Sequence, residues 1–195
     1  MRRSAALVFS ILLAAGAVSA RAQAVASATA RQFSITAGGM ASIFQSDFAG
    51  DWQPPSFQYP VAHTSPYTLF GAGAYVDVKF SHWVQIAAEG RWLRFNQYGG
   101  ISQDNYLIGP RIPVFHFLRS SVYAKALGGY AKMNFDSLGD KGTFTDLAFG
   151  GGMDVKLTKR LSLRAVDFEY QYYPKWSNST LSPYGASVGI GYKLF

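Results

Sequence analysis

Few residues of this chain are of types that do chemistry, and their spacing sorts them quickly. There is no cysteine, which removes disulfides, thiolate metal ligands and thiol nucleophiles. The three histidines are His63, His82 and His116. His63 opens the triplet His63-Thr64-Ser65, which puts a hydroxyl nucleophile two residues from an imidazole. A histidine two residues from a serine offers a base and a nucleophile, provided the backbone brings the two side chains into reach. The triplet lies in Gln45–Pro66, which carries Pro54, Pro55, Pro60 and Pro66 and has no periodicity, so it reads as a loop. His82 and His116 fall in short turns, where a solvated or interfacial role is the default. Asn178-Ser179-Thr180 matches a glycosylation acceptor but reads as loop sequence. The run Gly150-Gly151-Gly152 opens no helix, so it marks close packing in a strand and not a phosphate cradle. No catalytic residue, metal site or cofactor is expected.

The richer chemistry is ionic. Asp77 and Lys79 are two residues apart, as are Glu89 and Arg91, and Asp154 and Lys156. In a strand that spacing puts both charges on one face. The same parity collects Arg111, Lys125, Asp146, Arg164, Asp167, Glu169 and Lys193 on the face opposite the apolar residues. The candidate structural network is Asp77, Lys79, Glu89, Arg91, Arg111, Lys125, Asp146, Asp154, Lys156, Arg164 and Glu169. Enclosed together, such charges either form a polar core or line a narrow ion path. Arg94 is the exception in parity; it lies near a strand end, where a long side chain reaches the headgroups.

The elements that must carry these charges are strands. Tyr184, Ala186, Val188, Ile190, Tyr192 and Leu194 alternate with Gly185, Ser187, Gly189, Gly191 and Lys193 up to the final Phe195. A strand of about ten residues with one oily face is what a tilted membrane strand requires. An unpaired sheet edge is not tolerated in lipid, so this strand must pair with the first and close a cylinder. The alternation predicts eight strands, over 31–44, 67–80, 83–96, 106–115, 121–133, 144–157, 161–173 and from 184 onward. Pro110 and Pro113 predict a bulge or weak pairing in the fourth. In the seventh, Leu161, Leu163 and Ala165 differ in parity from Phe168, Tyr170 and Tyr172, which predicts a bulge near Val166–Asp167. In a barrel of about eight strands the interior is only wide enough for side chains to fill, which favours a polar core over an ion path.

Connections alternate between long and short. The long ones are Gln45–Pro66, Gln97–Asn105, Asn134–Thr143 and Pro174–Pro183. That rhythm suits an up-and-down barrel with long loops outside the cell and short turns in the periplasm. Phe80, Trp83, Phe115 and Phe117 lie beside the short turns. Phe44, Tyr67, Trp92, Tyr106, Tyr130, Tyr172 and Tyr184 lie beside the long loops. These are the two aromatic belts expected at headgroup depth. Phe48, Trp52, Phe57 and Tyr59, in the Pro-rich first loop, are the candidate contact surface for an extracellular protein or glycan.

Composition agrees. Apolar residues make up 49% of the chain and charged ones 15%, with 20 glycines in 195 residues. Met1-Arg2-Arg3, an uncharged run from Ala5 to Val18, and small residues around Ala20–Ala24 read as a secretory signal peptide over residues 1–24. The barrel domain then occupies 25–195. Removing Arg2, Arg3 and Arg21 from the 18 basic residues leaves 15 against 11 acidic ones. These are scattered, so no nucleic-acid partner is expected. A soluble barrel holding an apolar ligand would need the oily face inside, and the charge placement opposes it.

From about Arg31 to Phe195 the chain resembles the small outer-membrane β-barrels of the OmpA/OmpX type, the outer membrane protein β-barrel domain. The resemblance rests on the signal peptide, the hairpin rhythm, Tyr106-Leu107-Ile108-Gly109-Pro110-Arg111, the strand Gly150-Gly151-Gly152-Met153-Asp154-Val155 and the terminal aromatic. It implies an all-β, eight-stranded antiparallel up-and-down transmembrane barrel in the bacterial outer membrane. It implies outer-membrane lipid and the barrel-assembly machinery as partners, and a structural or surface-interaction role as a monomer. In the family the final Phe usually shares the outward parity; here Tyr192 and Leu194 hold it. His63-Thr64-Ser65 is similar in spacing to the His-x-Ser pair of outer-membrane lipid A deacylases. In those enzymes the pair lies on a lipid-facing strand, and here it lies in a loop.

Overall fold

The computed structural model describes residues 33–46, 67–80, 83–95, 101–135, 140–176 and 179–195. The strands are β1 (Ser34–Ser46), β2 (Tyr67–Lys79), β3 (Gln85–Leu93), β4 (Ile101–Phe117), β5 (Ser120–Phe135), β6 (Asp140–Lys156), β7 (Leu161–Trp176), β8 (Ser179–Leu181) and β9 (Tyr184–Lys193). Every long strand pairs antiparallel with its chain neighbour. β9 pairs with both β7 and β1, and β6 pairs with β7, so the sheet closes on itself. Eight long strands make the wall. β8 is a short addition that, among the described residues, pairs with the end of β7.

The predicted closure of last strand on first is present, with Thr36 opposite Lys193 and Gln45 opposite Tyr184. Ser42 and Ser187 share a buried 2.8 Å hydrogen bond on that seam. Following partners around the wall, Ser34 leads through Lys79, Gln85, Arg111, Lys125, Gly150, Glu169 and Gly185 back to β1 at Phe44. The path returns ten residues further along. This stagger tilts the strands and sets a lumen that side chains can fill.

Both predicted irregularities occur. β4 and β5 shift register between Pro113 and Phe115, and no pairing joins them between Ile108 and Arg111. β7 shifts against β6 between Arg164 and Val166, and against β9 between Arg164 and Asp167. One extra residue there turns Arg164 and Asp167 to the same side.

Several boundaries differ from those the sequence predicts. β4 begins at Ile101 and not at Tyr106, so Gln103 and Asn105 belong to the wall and not to a loop. β6 begins at Asp140 and not at Phe144, and β5 runs on to Phe135. The connection between them therefore shrinks to residues 136–139. Part of Pro174–Pro183, predicted as loop, is strand. Polarity on both faces makes these stretches look like loop, but polar side chains are what a barrel interior accommodates.

The outer surface is apolar. Phe70, Val76, Ile86, Ile108, Ile112, Phe149, Phe168, Val188 and Ile190 are all exposed. No helix among the described residues is long and apolar enough to cross a membrane. At the short-turn end the belt contains Phe33 and Phe80, 5.8 Å between ring centroids, with Trp83, Phe115 and Phe117. At the other end Trp92, Tyr106 and Tyr130 form a ladder of rings, with a 3.1 Å hydrogen bond from the Trp92 indole to the Tyr106 hydroxyl. Phe44 is a correction: it is buried inside the barrel with Leu69 and Leu93 and takes no part in the belt. Its even number gives it the same parity as inward Ser42.

Candidate functional site

The chemistry of the molecule is concentrated in the lumen. Alternation turns Asp77 of β2, Glu89 and Arg91 of β3, Arg111 of β4, Lys125 of β5, Asp154 of β6, and Arg164, Asp167 and Glu169 of β7 toward one another. Five carboxylates meet four cations.

The network has two connected tiers. Nearer the short turns, Arg111 pairs with Asp77 and Asp154, while Arg164 reaches Asp77 at 2.7 Å. Each guanidinium is backed by a ring: Arg111 lies 3.5 Å from the centroid of Tyr123, and Arg164 lies 3.6 Å from that of Tyr75. In the middle of the barrel, Lys125 Nζ contacts Glu89 at 2.9 Å and both Asp167 and Glu169 at 2.8 Å. Arg91 pairs with Glu89 and forms two hydrogen bonds to Glu169, at 2.7 and 2.9 Å. Arg164 joins the tiers through a 3.3 Å contact to Glu89. Arg91 and Arg164 have no exposed surface. Burying so many charges is costly unless each meets a partner, and here cations and carboxylates alternate through the cluster.

Toward the long loops the charges give way to neutral polar groups. Gln171 donates to Glu169 at 2.8 Å. The Tyr173 hydroxyl donates to Gln171 at 2.7 Å and accepts from Gln103 and Asn105. Asn105 also donates to Asp146 at 2.6 Å. Beyond this lie two apolar caps, one of Phe44, Leu69 and Leu93 and the other of Ala131, Met133, Tyr173 and Leu181. A polar network with shared donors and acceptors is rigid, because moving one member leaves others buried without partners.

The structure thus brings together eight residues of the candidate network: Asp77, Glu89, Arg91, Arg111, Lys125, Asp154, Arg164 and Glu169. Asp167 joins them. Asp146 stands apart on Asn105. Lys79 and Lys156 are not in the ion-pair network; they lie at the short-turn rim. Sequence reading misses Gln103, Asn105, Gln171 and Tyr173. The inward parity of the last two, set by Glu169, is the available signal. Outside the barrel, Arg94 pairs with Asp104, so the wall carries charges of both signs above the Trp92–Tyr106–Tyr130 ladder. His116 is exposed at the end of β4. Phe48, Trp52, Phe57, Tyr59, His63, Ser65 and His82 lie outside the described residues. Among the described residues no three His, Asp or Glu side chains are grouped to hold a metal ion.

The model of the outer membrane protein beta-barrel domain family matches residues 10–193 of the chain. Among solved structures, surface protein A of Neisseria, NspA, superposes with a TM-score of 0.60 at 12% identity, covering 82% of this chain and 96% of that one. The N-terminal barrel domain of OprF from Pseudomonas aeruginosa gives 0.51 at 14% identity, covering 84% of this chain and 100% of that one. OprG from the same organism gives 0.51 at 13%, covering 83% and 95%. At these identities the likeness is one of fold. No curated protein shows significant similarity in sequence.

Proposed function

Because the chain belongs to the outer membrane protein beta-barrel domain family, and so resides in the bacterial outer membrane, we propose that it serves there as a rigid, non-enzymatic barrel that displays its long loops outside the cell. The observation that supports this reading is the filled lumen. Arg91 of β3 holds Glu169 of β7, the strand opposite it in the eight-stranded wall, and the pair is fully buried. A pore would need water where these side chains stand. Rigid scaffolds commonly carry function on their loops, and the Pro-rich first loop with Phe48, Trp52, Phe57 and Tyr59 is the proposed contact surface for a protein or glycan.

Planar-bilayer recording of the refolded barrel tests the filled lumen. The reading expects no resolved single-channel steps in the wild type. Regular conductance steps that disappear when Arg91 is replaced by a bulkier tryptophan would support a narrow pore instead.

A further inference from the structure

Charge is distributed unevenly along the barrel axis. Beyond the tier of Asp77 and Asp154, toward the short turns, the described residues carry six cations outside the lumen network and no Asp or Glu. The cations are Lys79, Arg119, Lys156, Lys159, Arg160 and Lys193. They share one rim. The Lys156 amide donates to the Arg119 carbonyl at 2.8 Å, and the Lys193 amide donates to the Arg160 carbonyl at 2.7 Å. Lys79 and Lys193 flank the start of β1 from either side, opposite Ser34 and Thr36. None of the six forms an ion pair among the described residues, whereas Arg94 at the other end is matched by Asp104.

The same rim lies at headgroup depth. Phe33, Phe80, Trp83, Phe115 and Phe117 ring it on the outside, and aromatic side chains settle where acyl chains meet headgroups. Arg160 bridges the two features: its Nη1 donates to the Tyr192 hydroxyl on the outer wall at 3.1 Å. Lys79, Lys156 and Lys193 have inward parity at the mouth of the lumen, while Arg119, Lys159 and Arg160 stand in the turns, within reach of the lipid headgroups beside them. Against these six cations the described rim holds one anion, the terminal carboxylate of Phe195, so it keeps a positive charge that draws anions. Guanidinium and ammonium groups bind phosphodiester oxygens by charge-assisted hydrogen bonds.

We propose that the short-turn rim is a docking surface for anionic phospholipid, which it enriches in the leaflet it faces. The full-length barrel, refolded into bilayers of phosphatidylcholine containing phosphatidylglycerol, is probed with headgroup-matched spin-labelled lipids. The expected result is a preference of about threefold or more for the phosphatidylglycerol probe, as polybasic segments show near anionic surfaces. It should fall toward parity at about 1 M salt, where charge interactions beyond a few ångströms are screened. The sextuple variant Lys79→Gln, Arg119→Gln, Lys156→Gln, Lys159→Gln, Arg160→Gln, Lys193→Gln should lose the preference while keeping heat-modifiable migration. If that variant does not fold, the triple turn variant Arg119→Gln, Lys159→Gln, Arg160→Gln should still show a clear reduction. Equal association of the two probes in the wild type, or an undiminished preference in a folded variant, overturns the proposal.

Discussion

Arg91 and Glu169 face each other across the lumen and join by two hydrogen bonds, at 2.7 and 2.9 Å. Their strands stand on opposite sides of the wall. This link is long in sequence and short in space, and it braces the cylinder across its middle. It also depends on the whole fold, because β3 and β7 have no backbone pairing through which to find each other.

Removing one partner should therefore hurt more than removing both. Arg91→Met leaves Glu169 and Glu89 buried with one cation fewer, a loss of about 3–5 kcal/mol on breaking a buried pair from one side. The double variant Arg91→Met, Glu169→Leu should recover a large part of that loss. Urea unfolding in lipid vesicles, followed by heat-modifiable migration, measures both. Strict additivity of the single losses would contradict the pairing.

Close backbone approach makes Gly150 and Gly109 intolerant of a side chain. A Cβ at Gly150 would collide with the Phe168 carbonyl and lie 3.0 Å from the Glu169 Cα. At Gly109 it would collide with the Ala126 carbonyl, where β4 and β5 lose their pairing. Backbone cannot swing aside as a flexible side chain does. Gly150→Ala and Gly109→Ala should each cost about 1–3 kcal/mol in the same unfolding assay, the range for overpacking. Gly39→Ala is the control, since the nearest atom to its Cβ is a carbonyl oxygen at 3.8 Å.

A charge placed on the outer wall should be punished by depth. Ile108, 59% exposed, lies mid-strand, and Leu118, 91% exposed, lies in the β4–β5 turn. Ile108→Arg should cost about 2–4 kcal/mol and Leu118→Arg about 0–1 kcal/mol in that assay, following the depth profile for charges on a barrel's lipid face. Leu118 holds a φ of 51°, unusual for a residue with a branched side chain, so Leu118→Gly should be tolerated or mildly stabilising.

Absence of cysteine makes orientation simple to read. The single-cysteine variant Ser56→Cys, in the long first connection, should react with a membrane-impermeant maleimide on intact cells. Lys159→Cys, in the β6–β7 turn, should react only after the outer membrane is opened. The opposite pattern would put the short turns outside.

Much of this architecture is legible in the order of residues, for a physical reason. Lipid outside and a packed lumen inside impose opposite demands on alternate positions, so Val188 and Gly189, or Val76 and Asp77, declare their faces at once. Even the slip between Leu163 and Phe168 is visible as a change of parity. The strand ends are less legible. Gln103 and Asn105 look like loop residues because periodicity is scored by polarity, and near the rim polar residues occupy both faces. Phe44 shows the converse error, since its residue type suggests the belt while its parity points inward. The pairing partners within the lumen are not legible at all. That Lys125 meets Glu89, Asp167 and Glu169 depends on the ten-residue stagger of the closed sheet, which no local pattern encodes.

The apolar wall faces acyl chains and the charged wall faces the lumen, and everything else rests on that orientation. Its most direct test is depth-resolved quenching by brominated lipids in variants that keep one tryptophan each. A tryptophan introduced by Val188→Trp, mid-strand on β9, should be quenched most by lipids brominated near the chain ends. Native Trp83 and Trp92, in the two belts, should be quenched most by bromines near the headgroup. If the introduced tryptophan were untouched by any brominated lipid and quenched by aqueous iodide instead, the apolar wall would not face the membrane core, in direct contradiction of the orientation described.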